Sequence, residues 1–162
     1  MRKANYTSSL QEEAIVKVKD VMHGGAIWVS PNASISEVAR KMRDNDVGAI
    51  PVGDNDRLVG MVTDRDITCR GLPDARDLAW LTASNVMSRP VFCCRAEDDV
   101  KVAIHIMEMK KVRRLPVINE KKRMVGMLSL DDIAQKAPEV LSAGVFQAVA
   151  GHHLIREEHD AS

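Results

Sequence analysis

Aromatic side chains are nearly missing from this chain: two Trp, one Tyr and two Phe make up 3% of 162 residues. That scarcity removes the stacking platforms on which single-stranded nucleic acids are held. A charge excess of either sign is missing too, since 23 Lys and Arg balance 23 Asp and Glu. No strong field therefore draws the chain to nucleic acid or to an anionic membrane. No apolar run approaches the roughly 18 residues that a membrane span requires. The start, MRKANYTSSLQEE, is basic but lacks the hydrophobic stretch of a secretory signal. Cysteine occurs three times, at no zinc spacing, an odd count that points to a reducing cytoplasm rather than to a disulfide framework. Catalytic signatures are absent: there is no G-x-S-x-G, no phosphate-binding lysine loop, no H-E-x-x-H and no G-x-G-x-x-G. The expectation is a cytoplasmic chain that is not an enzyme, with enough apolar residues (45%) for one good core.

What is present is a sentence written twice. Residues 60–67 read GMVTDRDI and residues 126–133 read GMLSLDDI. Upstream of each stands an apolar-Pro-Val step, Ile50-Pro51-Val52 and Leu115-Pro116-Val117, and further back a matching pair, Val21-Met22 and Val86-Met87. The offset is 65 residues through most of the repeat and 66 after the second hairpin, so the later copy carries one inserted residue. Two copies of about 60 residues are too long and too few for a solenoid. They point instead to a pseudo-twofold, with a cleft between facing copies as the place for a ligand.

The local pattern is the same in both copies. Residues 15–23 read as a helical lead-in and residues 26–30 as a short strand. Ser34 to Asn45 is a helix, with Ile35, Val38, Ala39 and Met42 on one face and a capping box from Ser34 and Glu37. Strands 49–52 and 58–62 flank the turn GDNDR, and a second helix runs from Thr63 to about Arg70. In the later copy, strand 91–95 precedes a helix from Asp99 with Val100, Ala103, Ile104 and Met107 at the same offsets. Its additional Val102 and Ile106 predict burial on more sides. Strands 114–118 and 124–128 follow, then a helix from Ser129. Residues 138–159 read as a terminal helix covering the core or a partner. Each unit is β-α-β-β-α, giving a mixed α+β fold of two repeats packed about a pseudo-twofold. One unit alone buries too little to stand by itself. The divisions are an N-terminal segment 1–14, a first repeat 15–70, a linker 71–84, a second repeat 85–136, and a C-terminal helix and tail 137–162.

This doubled G-h-h-[ST]-x-x-D element (h apolar), each copy behind an apolar-Pro-Val strand, resembles the CBS domain, named after cystathionine β-synthase. Two in tandem look like a CBS pair, or Bateman module, over roughly residues 15–136, of the small prokaryotic type without an attached enzyme or transporter. The resemblance implies a regulatory module that binds an adenosyl ligand between the repeats and signals to a partner protein. AMP, ADP or ATP come first as ligand, NAD or S-adenosylmethionine second, and no cofactor is required. It further implies a homodimer. The alternative is a dimeric scaffold that binds no ligand.

Within that frame, Asp66 and Asp132 would accept hydrogen bonds from ribose hydroxyls. Thr63 and Ser129, each at a helix start, would sit beside a phosphate. The same [ST]-x-x-[DE] pattern is also a capping box that needs no ligand. Ile50-Pro51 and Leu115-Pro116 are the expected walls for adenine, or simply core. The copies differ most in charge: the second reads KKVRRLPV where the first reads NDVGAIPV, and Arg65 faces Asp131 in alignment. A phosphate-bearing ligand is therefore expected at Arg65 or at Arg113 and Arg114, with the two sites differing in affinity, unless these residues form only a solvated basic face. Trp28 and Trp80 read as packing residues. Cys93 and Cys94 should point to opposite faces as structural thiols, with a redox switch involving Cys69 as the other reading. His152, His153 and His159 form a weak metal spacing in an exposed tail.

Overall fold

The computed structural model describes residues 15–138 other than 26, 56, 75 and 76, together with 141, 144, 145 and 147. The expected N-terminal segment and most of the terminal helix, including His152, His153 and His159, lie outside these residues. Within 137–162, Leu141 is buried and Val145 packs against the second core.

The elements follow the doubled pattern. The first copy contributes α1 (Val18–Val21), β1 (His23–Gly24), α2 (Ile35–Asp44), β2 (Ala49–Asp54), β3 (Arg57–Thr63) and α3 (Asp64–Asp66). A π-helical turn (Ile67–Gly71) and α4 (Leu72–Asp74) continue α3. After a 3-10 turn at Leu78–Trp80, the second copy gives α5 (Ala83–Val86), β4 (Cys94–Arg95), α6 (Val100–Lys110), β5 (Arg114–Ile118), β6 (Met124–Ser129) and α7 (Leu130–Lys136). Helix α2 starts where the Ser34 hydroxyl accepts from the Glu37 N–H at 3.2 Å. It buries Ile35, Val38 and Met42, while Ala39 stays exposed at the edge of the stripe. In α6 the buried face is Val100, Ala103, Ile104 and Met107. Val102 does not share in it: it is 48% exposed, because a single sheet covers one side of the helix only. Ile106 is partly buried against the core.

Each hairpin pairs as its alternation and turn predict, β2 with β3 and β5 with β6, antiparallel. The strand expected at 91–95 shortens to β4, parallel to β5. The one at 26–30 shrinks to a single parallel bridge, Val29 to Val52. Pro31 and Asn32 turn the chain away immediately afterwards, so little of either segment reaches its neighbour.

The main departure from local reading concerns the lead-ins. Val18 and Val21 of α1 are buried in the core of the second repeat, with Leu115, Val117, Leu128 and Ile133. Ala83, Val86 and Met87 of α5 are buried in the core of the first, with Ile50, Val52 and Val62. The two repeats exchange their lead-ins. Consequently β1 extends the second sheet, in the order β1-β6-β5-β4, and Ser88 bridges Met61 in the matching place on the first. Four-residue helices have no stability of their own; burial in the opposite core holds them. Lys17 and Lys19 add ion pairs to Glu97 at 2.6 and 2.8 Å. These hydrogen bonds hold the Glu97 carboxyl down at about 2. Their small, solvent-screened support is complete above the ordinary value of 4.5 and fades as pH falls toward 2.

The exchanged segments pass close over the hairpins at Gly60 and Gly126, which are equivalent in the repeat. A Cβ on Gly126 would sit on the His23 carbonyl oxygen, which is backbone; one on Gly60 would meet chiefly the flexible end of Met87. Gly126→Ala should therefore destabilise the protein by about 1–3 kcal/mol. Gly60→Ala should destabilise it less. Urea unfolding of the two variants checks the order.

Candidate functional site

The exchange creates two clefts. Cleft I, of about 480 Å3, lies between residues 61–66 of the first copy and residues 88–92 and 111–114 of the second. Cleft II, of about 520 Å3, lies between residues 127–132 of the second copy and residues 23–25, 27 and 45–49 of the first. The two are related by the repeat: a hairpin end and capping box from one copy face the lead-in and post-helical loop of the other.

The capping boxes form in full. The Thr63 hydroxyl accepts from the Asp66 N–H at 3.0 Å, while Asp66 Oδ2 accepts from the Thr63 N–H at 2.9 Å and its hydroxyl at 2.8 Å. Ser129 and Asp132 repeat this at 3.1, 2.9 and 2.6 Å. The outer carboxylate oxygens differ. Asp66 Oδ1 accepts only from the Ser88 hydroxyl, at 3.2 Å, with the Arg70 guanidinium at 3.6 Å. A carboxylate has about four acceptor positions, so Asp66 keeps capacity toward the cleft. Asp132 Oδ1 meets His23 Nδ1, and Lys136 stands 3.4 Å away; its side chain is only 5% exposed. Arg70 and Lys136, equivalent in the repeat, also clasp the exchanged lead-ins, donating to the carbonyls of Val86 at 3.3 Å and Val21 at 2.9 Å.

Cleft I gathers Arg65, Arg113 and Arg114, together with Arg89 and Lys111, against Asp64 and Asp66. Arg89 and Lys111 were not singled out from the sequence, although Lys111 belongs to the same basic run. Lys111 adopts a left-handed conformation (φ 54°) at the end of α6, as Asp46 does (φ 52°) at the end of α2. Aspartate tolerates that region better than lysine does. The apolar side of cleft I is Met61, Val91, Phe92 and Pro116, and Lys110 lies over the Phe92 ring at 4.9 Å.

Other candidates fall elsewhere. Ile50 and Leu115 are fully buried in the two cores and line neither cleft, because strand alternation turns them inward. Pro116 does border cleft I, whereas Pro51 borders a smaller hollow of about 150 Å3 beside Trp28. Trp28 and Trp80 are 49% and 83% exposed, so neither is a buried packing residue. Among the described residues, no group of three or more His, Cys, Asp or Glu is placed to hold a metal ion. Nor is any helix among them long and apolar enough to cross a membrane.

The CBS domain model covers residues 18–70 and 83–139. The chain belongs to the CBS domain family. Hypoxic response protein 1 of Mycobacterium tuberculosis is 38% identical over 122 residues, which span 75% of this chain and 85% of that protein. Its crystal structure, with two coordinated zinc ions, superposes with a TM-score of 0.69 at 36% identity, covering 76% of this chain and all of that one. The CBS domain pair of protein MJ0100, solved with 5′-methylthioadenosine and S-adenosyl-L-methionine, matches with a TM-score of 0.67 at 25% identity over 75% of this chain and 94% of that one. CBSX2, solved with AMP, shares the fold at a TM-score of 0.65 and 22% identity over 76% of this chain and 97% of that one.

The thiols of this CBS pair are all free and differ in access: Cys69 is exposed, Cys93 half-buried and Cys94 buried. Burial pushes the Cys94 thiol up to about 12 and raises Cys93 as well. Since the thiolate is the nucleophile, titration of the native protein with Ellman's reagent at pH 8 should label Cys69 first and Cys93 slowly. Cys94 should respond only after unfolding; fast labelling of Cys94 would contradict its placement.

Proposed function

We propose that this CBS pair is a regulatory sensor that binds an adenine nucleotide or related adenosyl ligand between its repeats, acts as a homodimer in the cytoplasm, and reports occupancy to a partner protein. The observation that carries this reading is cleft I. Its volume of about 480 Å3 lies within the roughly 300–1,000 Å3 typical of small-molecule sites. At one end stands Asp66, whose outer oxygen has acceptor capacity for a ribose hydroxyl. Met61, Phe92 and Pro116 supply an apolar wall for a base, and Arg65, Arg89, Lys111, Arg113 and Arg114 supply cations for phosphate. Guanidinium groups suit phosphate because their paired N–H donors match its oxygens. In cleft II, Ser129 and Asp132 hold the matching positions. Ile50 and Leu115 support this site from behind, as core, rather than by touching the ligand.

The mechanism follows from where the cleft lies. A ligand in cleft I touches the hairpin of one repeat and the lead-in and post-helical loop of the other. It therefore favours whichever arrangement of the two repeats brings those walls to the right separation, by its difference in affinity between arrangements. The ligands in the MJ0100 structure share an adenosyl moiety, which supports the same class here.

The scaffold alternative rests on one observation: both capping boxes are complete without any ligand. A thermal-shift screen separates the two. Ligand at about 100-fold over its Kd adds ~2.7 kcal/mol, which for a chain of this size is a rise of roughly 5–10 °C. AMP, ADP, ATP, NAD and S-adenosylmethionine are the panel. At least one should give such a rise, and Asp66→Asn, which keeps a capping oxygen, should remove it for a phosphate-bearing ligand. No rise with any ligand would favour the scaffold.

A further inference from the structure

We propose that the two clefts are sorted by charge: cleft I takes ligands that carry phosphate, and cleft II takes an adenosyl ligand with no net negative charge, a neutral nucleoside or a sulfonium. The adenosyl part rests on the function proposed above; the charge sorting does not.

The repeat makes pairs of positions in the two clefts equivalent. Lys111 and Asp46 both follow the long helix of their copy and share the same left-handed backbone, so the fold presents their side chains alike. Lys111 lines cleft I and Asp46 lines cleft II. Arg65 and Asp131 both stand two residues after the capping hydroxyl, again one in each cleft. Arg89 has Gly24 as its counterpart. With Arg113, whose counterpart is Gly48, four matched places thus change a cation for a carboxylate or for nothing; Asp64 of cleft I, whose counterpart is Leu130, is the one charge that runs the other way.

Ala49 and Arg114 are themselves equivalent, and each lines both clefts. They mark where the pseudo-twofold passes. Among the described residues lining cleft II, Arg114 is thus a cation shared with cleft I, set against Asp46, Asp131 and Asp132. Asp132 is compensated by His23 and Lys136; no ion pair to Asp46 or Asp131 accompanies it among the described contacts. A phosphate in cleft II would face those two exposed carboxylates, with a repulsion that water and salt weaken but do not abolish. A cation or neutral group there avoids it. Phosphate should favour cleft I by about tenfold.

The test uses the full chain, isotope-labelled for amide NMR. Inorganic pyrophosphate should shift amides of residues 63–66 and 88–92 and leave those of 23–25 and 129–132 unmoved. AMP should bind once per chain by calorimetry, and S-adenosylmethionine should shift the cleft II amides. The exchange Asp46→Lys with Asp131→Arg should raise AMP to two per chain and weaken S-adenosylmethionine at least tenfold. Should that double variant misfold, Asp131→Asn alone should still strengthen AMP in cleft II. Pyrophosphate acting equally on both clefts, or AMP filling both in the unaltered chain, would overturn the proposal. Pyrophosphate confined to cleft I with no adenosyl ligand binding anywhere would support charge sorting, but would overturn the adenosyl reading and its assignment of cleft II.

Discussion

The structure depends on an exchange: each repeat buries the opening helix of the other. Val18 and Val21 complete the second core, and Ala83 and Val86 complete the first, all at 0–1% exposure. Neither core is finished by its own segment, so neither repeat has a complete apolar interior alone. Burying such side chains is worth about 1.5–3 kcal/mol each for a valine-sized group, comparable in total with the net stability of a small domain. Association of the repeats is therefore part of folding rather than a later docking step.

The same exchange builds the clefts. After each lead-in helix the chain must cross the facing hairpin, and it does so over a glycine, Gly60 or Gly126. That crossing carries Ser88 to Asp66 and His23 to Asp132. A carboxylate fixed by its own capping box is thereby placed at the seam between repeats, where anything bound to it also touches the other repeat. The proposed sensing would need that placement, because a ligand held within a single repeat would report nothing about the relation of the two. The inequality between clefts follows from a few side chains on this shared frame. Each carboxylate has a basic side chain of its own helix beside it, Arg70 or Lys136; Asp66 otherwise meets a hydroxyl, whereas Asp132 meets an imidazole.

Much of this was legible in the sequence. The duplication, both hairpins, the long helices and both capping boxes follow from period, turn residues and the [ST]-x-x-D spacing, all of which act within a few residues. Arg65, Arg113, Arg114 and Asp66 converge on one cleft, whereas the charge pattern alone left Arg65 and the Arg113-Arg114 pair as alternatives. What the sequence hid was long-range. Nothing in KVKDVM says which core will take Val18 and Val21, since amphipathicity specifies a buried face and not its partner. Val102 reads as core by hydropathy, yet one sheet cannot cover two sides of α6. Ile50 and Leu115 read as walls, yet alternation turns them inward and leaves Pro116 facing the cleft. Arg89 was missed because only its neighbours in space, 61–66, give it a role.

A crystal structure of the chain grown with AMP tests the account most directly. It should show the nucleotide in cleft I, with its ribose hydroxyls on the outer oxygen of Asp66, its base against Phe92 and Pro116, and its phosphate among Arg65, Arg89 and Lys111. AMP bound within one repeat, or held without contact to Asp66, would contradict the proposal that ligand binds at the seam between the repeats.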